Sequence, residues 1–340
     1  MAKSSTNKLL LLLCAGLLLG GAAIAATKKS APAKRPPTKA AQTSKKAGTA
    51  KTAKKPTPTP TPPPLAPGEL PLAAKSAVLL DAKSGDILYE KNPDAMEYPA
   101  SATKILTALL VIEQGDLDRR VVIQLDDTKV EPSALFFKPG EEYTRRHLLF
   151  VLLLKSANDV ALALARDNAG SVEAFSAKMN SRAEALGALG SHFTNPHGLH
   201  DPHHFTTARD LALIARRAMQ QPLFREIVAT PEIGMARGDD WLVVKNHNKL
   251  LAMVPGCIGV KTGYTRAAQQ VLVSSALRAG REAISVVLHS DKPGIWNDSK
   301  TLLEHAFEKF TAPASPQAAE PAPAPAPPGS APASGGAGGK

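Results

Sequence analysis

A serine and a lysine three residues apart stand at the head of an apolar run, Ala100-Ser101-Ala102-Thr103-Lys104-Ile105-Leu106. Residues at that spacing share one face of a helix, about a turn apart. The amine of Lys104 can therefore reach the hydroxyl of Ser101. A serine is a poor nucleophile at neutral pH until a base takes its proton. Lysine is such a base only when neutral, a state enforced by burial or by a second cation nearby. Pro99 suits a helix start, where free backbone N–H groups point outward. Donors of that kind can stabilise an oxyanion.

Alone, Ser-x-x-Lys is a loose pattern. Two later stretches sharpen it. Ser156-Ala157-Asn158 follows an apolar run, and Lys261-Thr262-Gly263 precedes a strand-like one. Taken singly, Ser156 reads as a helix cap, Asn158 as a turn residue and Lys261-Thr262-Gly263 as a strand edge. Together, in this order and at this wide spacing, the three motifs are far more specific.

The motifs identify a resemblance to the low-molecular-weight penicillin-binding proteins, the serine D-alanyl-D-alanine carboxypeptidases. It runs from about residue 76 to residue 287 and includes Lys138-Pro139-Gly140-Glu141, Asn195-Pro196-His197-Gly198-Leu199 and His204-Phe205-Thr206-Thr207-Ala208-Arg209-Asp210. The resemblance implies a serine β-lactamase/DD-peptidase-like fold and a role for each motif residue. Ser101 attacks the D-Ala–D-Ala peptide carbonyl and is acylated, and Lys104 takes its proton. Ser156 relays a proton to the leaving amine. Asn158 binds the substrate amide and holds Lys104. Lys261 and Thr262 receive the terminal carboxylate, and Gly263 lets the strand backbone come close to the ligand. Backbone N–H groups of Ser101 and Tyr264 form the oxyanion hole. The implied partners are peptidoglycan stem peptides, with β-lactams as covalent inhibitors. No metal or organic cofactor is required: His197, His200, His203 and His204 look like a metal cluster, but the resemblance places His197 and His204 in structural loop motifs with no zinc. Two departures from the family pattern are Lys155, where a proline is usual, and Gln269, where a glycine is usual.

The elements that must position these residues are read from periodicity. Strands are expected at 77–80, 87–89, 121–125, 241–244, 270–276 and 283–288, the last two joined through Gly280. Helices are expected from Ser101 to near Gly115 and over 147–154, 159–169, 172–186, 207–219 and 300–310. Strands at both ends with helices between them indicate an α+β domain. Its antiparallel sheet is completed by both chain ends and carries a helical layer.

Charge is spread unevenly. The net charge is +11, yet the first 66 residues hold twelve Lys and Arg and no acid, and the rest is nearly neutral. The basic character thus belongs to the N-terminal segment, and it is no sign that the folded domain binds nucleic acid. Residues 1–25 carry a basic start, an apolar core and Ala23-Ile24-Ala25, a secretory signal pattern. The expected location is outside the cytoplasm, in the periplasm or cell-wall space, membrane-anchored if the signal is retained. Residues 26–68 are rich in Lys, Ala and Pro and cannot bury a core. They read as an extended tether or as a basic arm for anionic envelope polymers. The catalytic domain is expected at 69–311, followed by a disordered Ala/Pro/Gly tail at 312–340. Cys14 falls in the leader, which leaves Cys257 as one thiol without a partner. The leading function is a DD-carboxypeptidase that removes the terminal D-alanine. The alternatives are a DD-endopeptidase that cuts cross-links and a non-catalytic wall-binding protein. A β-lactamase would need a carboxylate base for deacylation, and no Glu-x-x-Leu-Asn stretch lies between Asn158 and Lys261.

Overall fold

The computed structural model describes residues 66–311. The leader, nearly all of the basic segment and the Ala/Pro/Gly tail lie outside the described residues. The chain enters through β1 (Ser76–Asp81) and β2 (Ile87–Lys91). A single 3-10 turn, Ala100–Thr103, then leads directly into α1 (Lys104–Gln114). A short two-stranded ribbon, β3 (Arg120–Val122) with β4 (Glu142–Thr144), precedes α2 (Arg145–Leu154). Then come α3 (Asn158–Ala169), α4 (Val172–Ala185), α5 (Ala208–Met219) and α6 (Pro222–Ala229). A hairpin of β5 (Glu232–Arg237) and β6 (Asp240–Lys245) and a single turn, α7 (Leu250–Met253), lead back to the sheet. Strands β7 (Cys257–Thr265), β8 (Gln269–Arg278) and β9 (Arg281–Ser290) follow, and α8 (Gly294–Thr311) closes the described chain.

The main sheet has the order β2-β1-β9-β8-β7, antiparallel throughout. Its first and last strands in sequence are interleaved: β1 sits between β2 and β9, with Leu79 opposite both Tyr89 and Ser285. The expectation of an α+β sheet completed by both chain ends is met. Pleating sends alternate residues to opposite faces. Leu79, Leu272, Ala276 and Val287 pack under α8 with Ile295, Leu302 and Leu303. Val78, Leu80, Val273, Ile284 and Val286 face the helical layer instead.

The centre of that layer is α1. It touches α2, α3, α4, α5 and α6, and Ile105, Leu106, Ala108 and Leu109 are at most 1% exposed. Burying each leucine or isoleucine is worth about 1.5–3 kcal/mol. A helix apolar on so much of its surface has one stable place, inside, and its first turn therefore cannot wander. Several elements differ from the expectations. The Lys261-Thr262-Gly263 motif lies within a strand rather than before one. The last helix starts six residues earlier, where Asp291 Oδ1 accepts from Gly294 N at 2.6 Å. Strand β5, which pairs with the expected β6, and β4, β7, α6 and α7 add to the elements read from the sequence.

Candidate active site

Ser101 and Lys104 face each other across the junction of the 3-10 turn and α1, with Nζ 3.1 Å from Oγ. Lys104 is fully buried. Its nitrogen also donates to Asn158 Oδ1 at 2.6 Å and to the His197 carbonyl at 2.6 Å. Asn158 Nδ2 donates to Pro132 O at 2.6 Å, which fixes Oδ1 toward the lysine. Both short contacts are to oxygens that can only accept. In a neutral amine they take the two hydrogens, and the lone pair is left facing Ser101 Oγ. Burial first, and then the charge of Lys261, push the Lys104 amine well below its usual range, against a smaller opposing pull from Asp159. The arrangement can therefore move a proton from Ser101 to Lys104.

Ser156 bridges α2 and α3 at a left-handed φ of +65°. Its hydroxyl lines the same cleft as Ser101 and is buried without a hydrogen-bond partner among the described residues. Asn158 begins α3, and its backbone N–H donates to Ser133 O at 2.8 Å. Next to it, Asp159 accepts from Leu135 N at 2.9 Å. The start of α3 thus clamps the 132–135 loop, which supplies Pro132 and Ser133 to the cleft wall.

Strand β7 is the sheet edge, with β8 on one side only and the 3-10 turn packed against it. A Cβ at Gly263 would lie 2.9 Å from Ser101 N and 3.1 Å from Ala100 Cβ. The glycine thus lets the strand approach the serine turn itself, beside the ligand approach that the resemblance implies. Lys261 is 1% exposed, and burial lowers its pKa to about 7. Its ammonium donates to Thr262 O at 2.9 Å and sits behind the cleft surface, whereas Thr262, Gly263 and the well-exposed Tyr264 line it.

Two histidines brace this frame. His204 Nδ1 accepts from Thr194 N at 3.0 Å, so its proton is on Nε2, 2.8 Å from Thr103 Oγ1. His197 Nδ1 accepts from Leu199 N at 3.1 Å while its carbonyl holds Lys104. Burial is the main force keeping both rings neutral, with pKa values lowered to about 4 and about 3. His200 and His203 are exposed, so the four histidines are dispersed rather than gathered. Of the two departures, Lys155 caps α2 and its charge falls on His247. Gln269 takes a left-handed φ of +54°, and its side chain donates to Arg266 O at 2.6 Å. The β7–β8 loop thus forms with glutamine in a glycine-like conformation.

Four cleft residues escaped the sequence reading besides Pro132 and Ser133: His247, Gln270, Ile295 and Trp296. Of these only His247 carried a signal, lying between Asn246 and Asn248 fourteen residues before Lys261. Burial, then the charges of Lys261 and Lys155, lower its pKa.

Residues 62–292 match a family model described as D-alanyl-D-alanine carboxypeptidase. The chain is 37% identical over 240 residues to D-alanyl-D-alanine carboxypeptidase DacB2 of Mycobacterium tuberculosis, covering 69% of this chain and 82% of that one. It is 36% identical over 253 residues to D-alanyl-D-alanine carboxypeptidase DacF of Bacillus subtilis, covering 71% of this chain and 64% of that longer one. Among solved structures, a D-alanyl-D-alanine carboxypeptidase from Mycobacterium tuberculosis H37Rv superposes with a TM-score of 0.68 at 36% identity. That match covers 71% of this chain and 94% of the other.

Proposed function

The chain belongs to the D-alanyl-D-alanine carboxypeptidase family of serine peptidases, and from that premise we propose that Ser101 and Lys104 carry its chemistry. The protein is a serine-type D-Ala-D-Ala carboxypeptidase, a hydrolase that acts on peptidoglycan stem peptides and binds β-lactams. The observation that supports the residue assignment most is the hydrogen-bond pattern of Lys104. Two acceptors at 2.6 Å occupy its hydrogens, which directs a lone pair at Ser101 Oγ.

On this reading Ser101 Oγ attacks the carbonyl of the penultimate D-alanine and its proton passes to Lys104. The N–H groups of Ser101 and Tyr264 hold the oxyanion. Ser156 Oγ hands a proton to the departing nitrogen and recovers one from Lys104. The C–N bond breaks, D-alanine leaves, and Ser101 carries an ester. Water then adds its hydroxyl to the acyl carbon, and its proton returns Ser101 to the free alcohol. Asn158 holds Lys104 and offers its remaining N–H to the substrate amide. Thr262 meets the terminal carboxylate, and Lys261 supplies positive potential from behind.

The pH profile tests this division of labour. Lys104 works as a free base, so kcat/KM falls as pH drops through its depressed pKa. Lys261 works as a cation with a pKa of about 7, so activity also falls as pH rises past that value. The expected kcat/KM profile is a bell whose limbs belong to the coupled pair. Lys261→Arg keeps its charge at high pH and should remove the alkaline limb. An alkaline limb unmoved in that variant contradicts the role of Lys261.

The leader pattern supports export, with residues 69–311 as the catalytic unit outside the cytoplasm. The lysine-rich, acid-free segment 26–68 supports a tether that clings to anionic envelope polymers.

A further inference from the structure

Thr262 and Tyr264 alternate with Lys261 and Gly263 along β7, so the two pairs face opposite sides of the strand. Gly263 turns toward the Ser101 turn. Thr262 and Tyr264 therefore turn toward the side where Gln270, Ile295 and Trp296 complete the cleft. Gln270 is the cross-strand partner of Tyr264. Among the described residues, no Asp, Glu, Lys or Arg side chain lines the cleft. Apart from the uncharged amide of Gln270, its outer wall is apolar and aromatic, and it stands beside the hydroxyl that meets the leaving group's carboxylate.

The wall is rigid. Ile295 is 1% exposed in the core beneath α8. One turn on, Asp298 accepts from Ala73 N and Ala74 N at 2.9 Å each and from Ser290 Oγ at 2.7 Å. That carboxylate ties the first turns of α8 to both the entering chain and β9. Trp296 projects from this fixed point, half-buried, with the Lys249 ammonium 5.9 Å from its ring centroid. That separation is at the outer limit of a cation–π contact.

We infer that Trp296 is a specificity-determining residue that selects terminal D-alanine over a cross-link as the leaving group. The inference rests on the carboxypeptidase reading above. The two leaving groups share an amine and an adjacent carboxylate. They differ in one substituent: a methyl in D-alanine, and in a cross-link to a diamino acid's D-centre a long chain that carries a second stem. With the carboxylate at Thr262, that substituent meets the wall. A methyl packs against the indole, and a long chain runs into it.

The test incubates equal amounts of pentapeptide monomer and cross-linked dimer with wild type, Trp296→Ala and Trp296→Phe. Active enzyme is counted by penicillin titration, so partial misfolding does not enter the ratio. In Trp296→Ala the ratio of dimer cleavage to D-alanine release should rise about tenfold, the scale on which apolar pockets sort substituents by size. Trp296→Phe should keep the wild-type ratio within about threefold. A ratio unchanged in Trp296→Ala, or both rates falling in parallel, overturns the inference. Wild-type enzyme that releases no D-alanine from the pentapeptide overturns instead the reading on which it rests.

Discussion

Ser101→Ala is expected to abolish D-alanine release, by about 1,000-fold or more, while the protein folds as before. Removal of the nucleophile from a cooperating set costs nearly all of its catalysis, because the remaining members then have nothing to act upon. The structural cost is small. Ser101 is partly exposed, and the change removes one hydroxyl and one contact at 3.1 Å, worth about 1 kcal/mol. Lys104 keeps both of its 2.6 Å partners. Chromatography of a pentapeptide digest and a thermal melt by circular dichroism read the two halves separately. Residual activity within tenfold of wild type would remove Ser101 from the reaction.

The second large effect lies outside the three motifs. Gly198→Ala should unfold the site. At φ +84° a Cβ on this residue would fall 1.8 Å from the Ala100 carbonyl oxygen and 2.8 Å from Thr103 Oγ1. Ala100 is the residue before Ser101, and it already holds an uncommon φ of +46°. A backbone carbonyl in the 3-10 turn that leads straight into a fully packed helix has nowhere to retreat. The expected cost is about 4 kcal/mol or more, since clash and left-handed strain add. For a domain of this size that is a fall in Tm of roughly 8–16 °C. Gly280→Ala is the control, because it has nearly the same φ of +78° and no atom within 4 Å of the added Cβ. It carries the strain without the clash, about 1 kcal/mol. If the two variants melt within 2 °C of each other, the close fit of the Asn195–Leu199 loop against the serine turn is not what holds the site.

That contrast shows what was legible in the sequence. Ser101, Lys104, Ser156, Asn158, Lys261, Thr262 and Gly263 stand out because each motif is local and its chemistry is in the residue types. The neutral state of Lys104 was legible only as a requirement. What supplies it, Asn158 Oδ1 and the His197 carbonyl, comes from segments 54 and 93 residues away. His247 and Trp296 reach the cleft for the same kind of reason. One is carried on the link into α7 and the other on the first turn of α8, and their place is set by how those elements pack.

Four of the five strands of the main sheet were readable from their apolar runs, whereas β7, its edge, was marked only by the Lys261-Thr262-Gly263 motif. The β5–β6 hairpin was read only in part because it packs one face weakly. Strand β6 was read at 241–244, whereas β5 buries only Met235, so the alternation that marks a half-buried strand is blurred there. Helix α6 had a signal that went unused: Pro222 stands at its first turn, where a missing N–H costs nothing. Gln269 runs the other way. It stands where the family usually has glycine, yet its backbone adopts a left-handed φ, with a side-chain hydrogen bond to Arg266 O in place of glycine's freedom.

Ser101 Oγ is the atom on which the acyl group must be found. Protein incubated with benzylpenicillin, digested and mapped by tandem mass spectrometry should carry one penicilloyl adduct, on Ser101. The lactam presents the same carbonyl and carboxylate as the D-Ala–D-Ala end, and the lone pair of Lys104 activates that one hydroxyl. An adduct on Ser156 or on any other residue, with Ser101 unmodified, would contradict it.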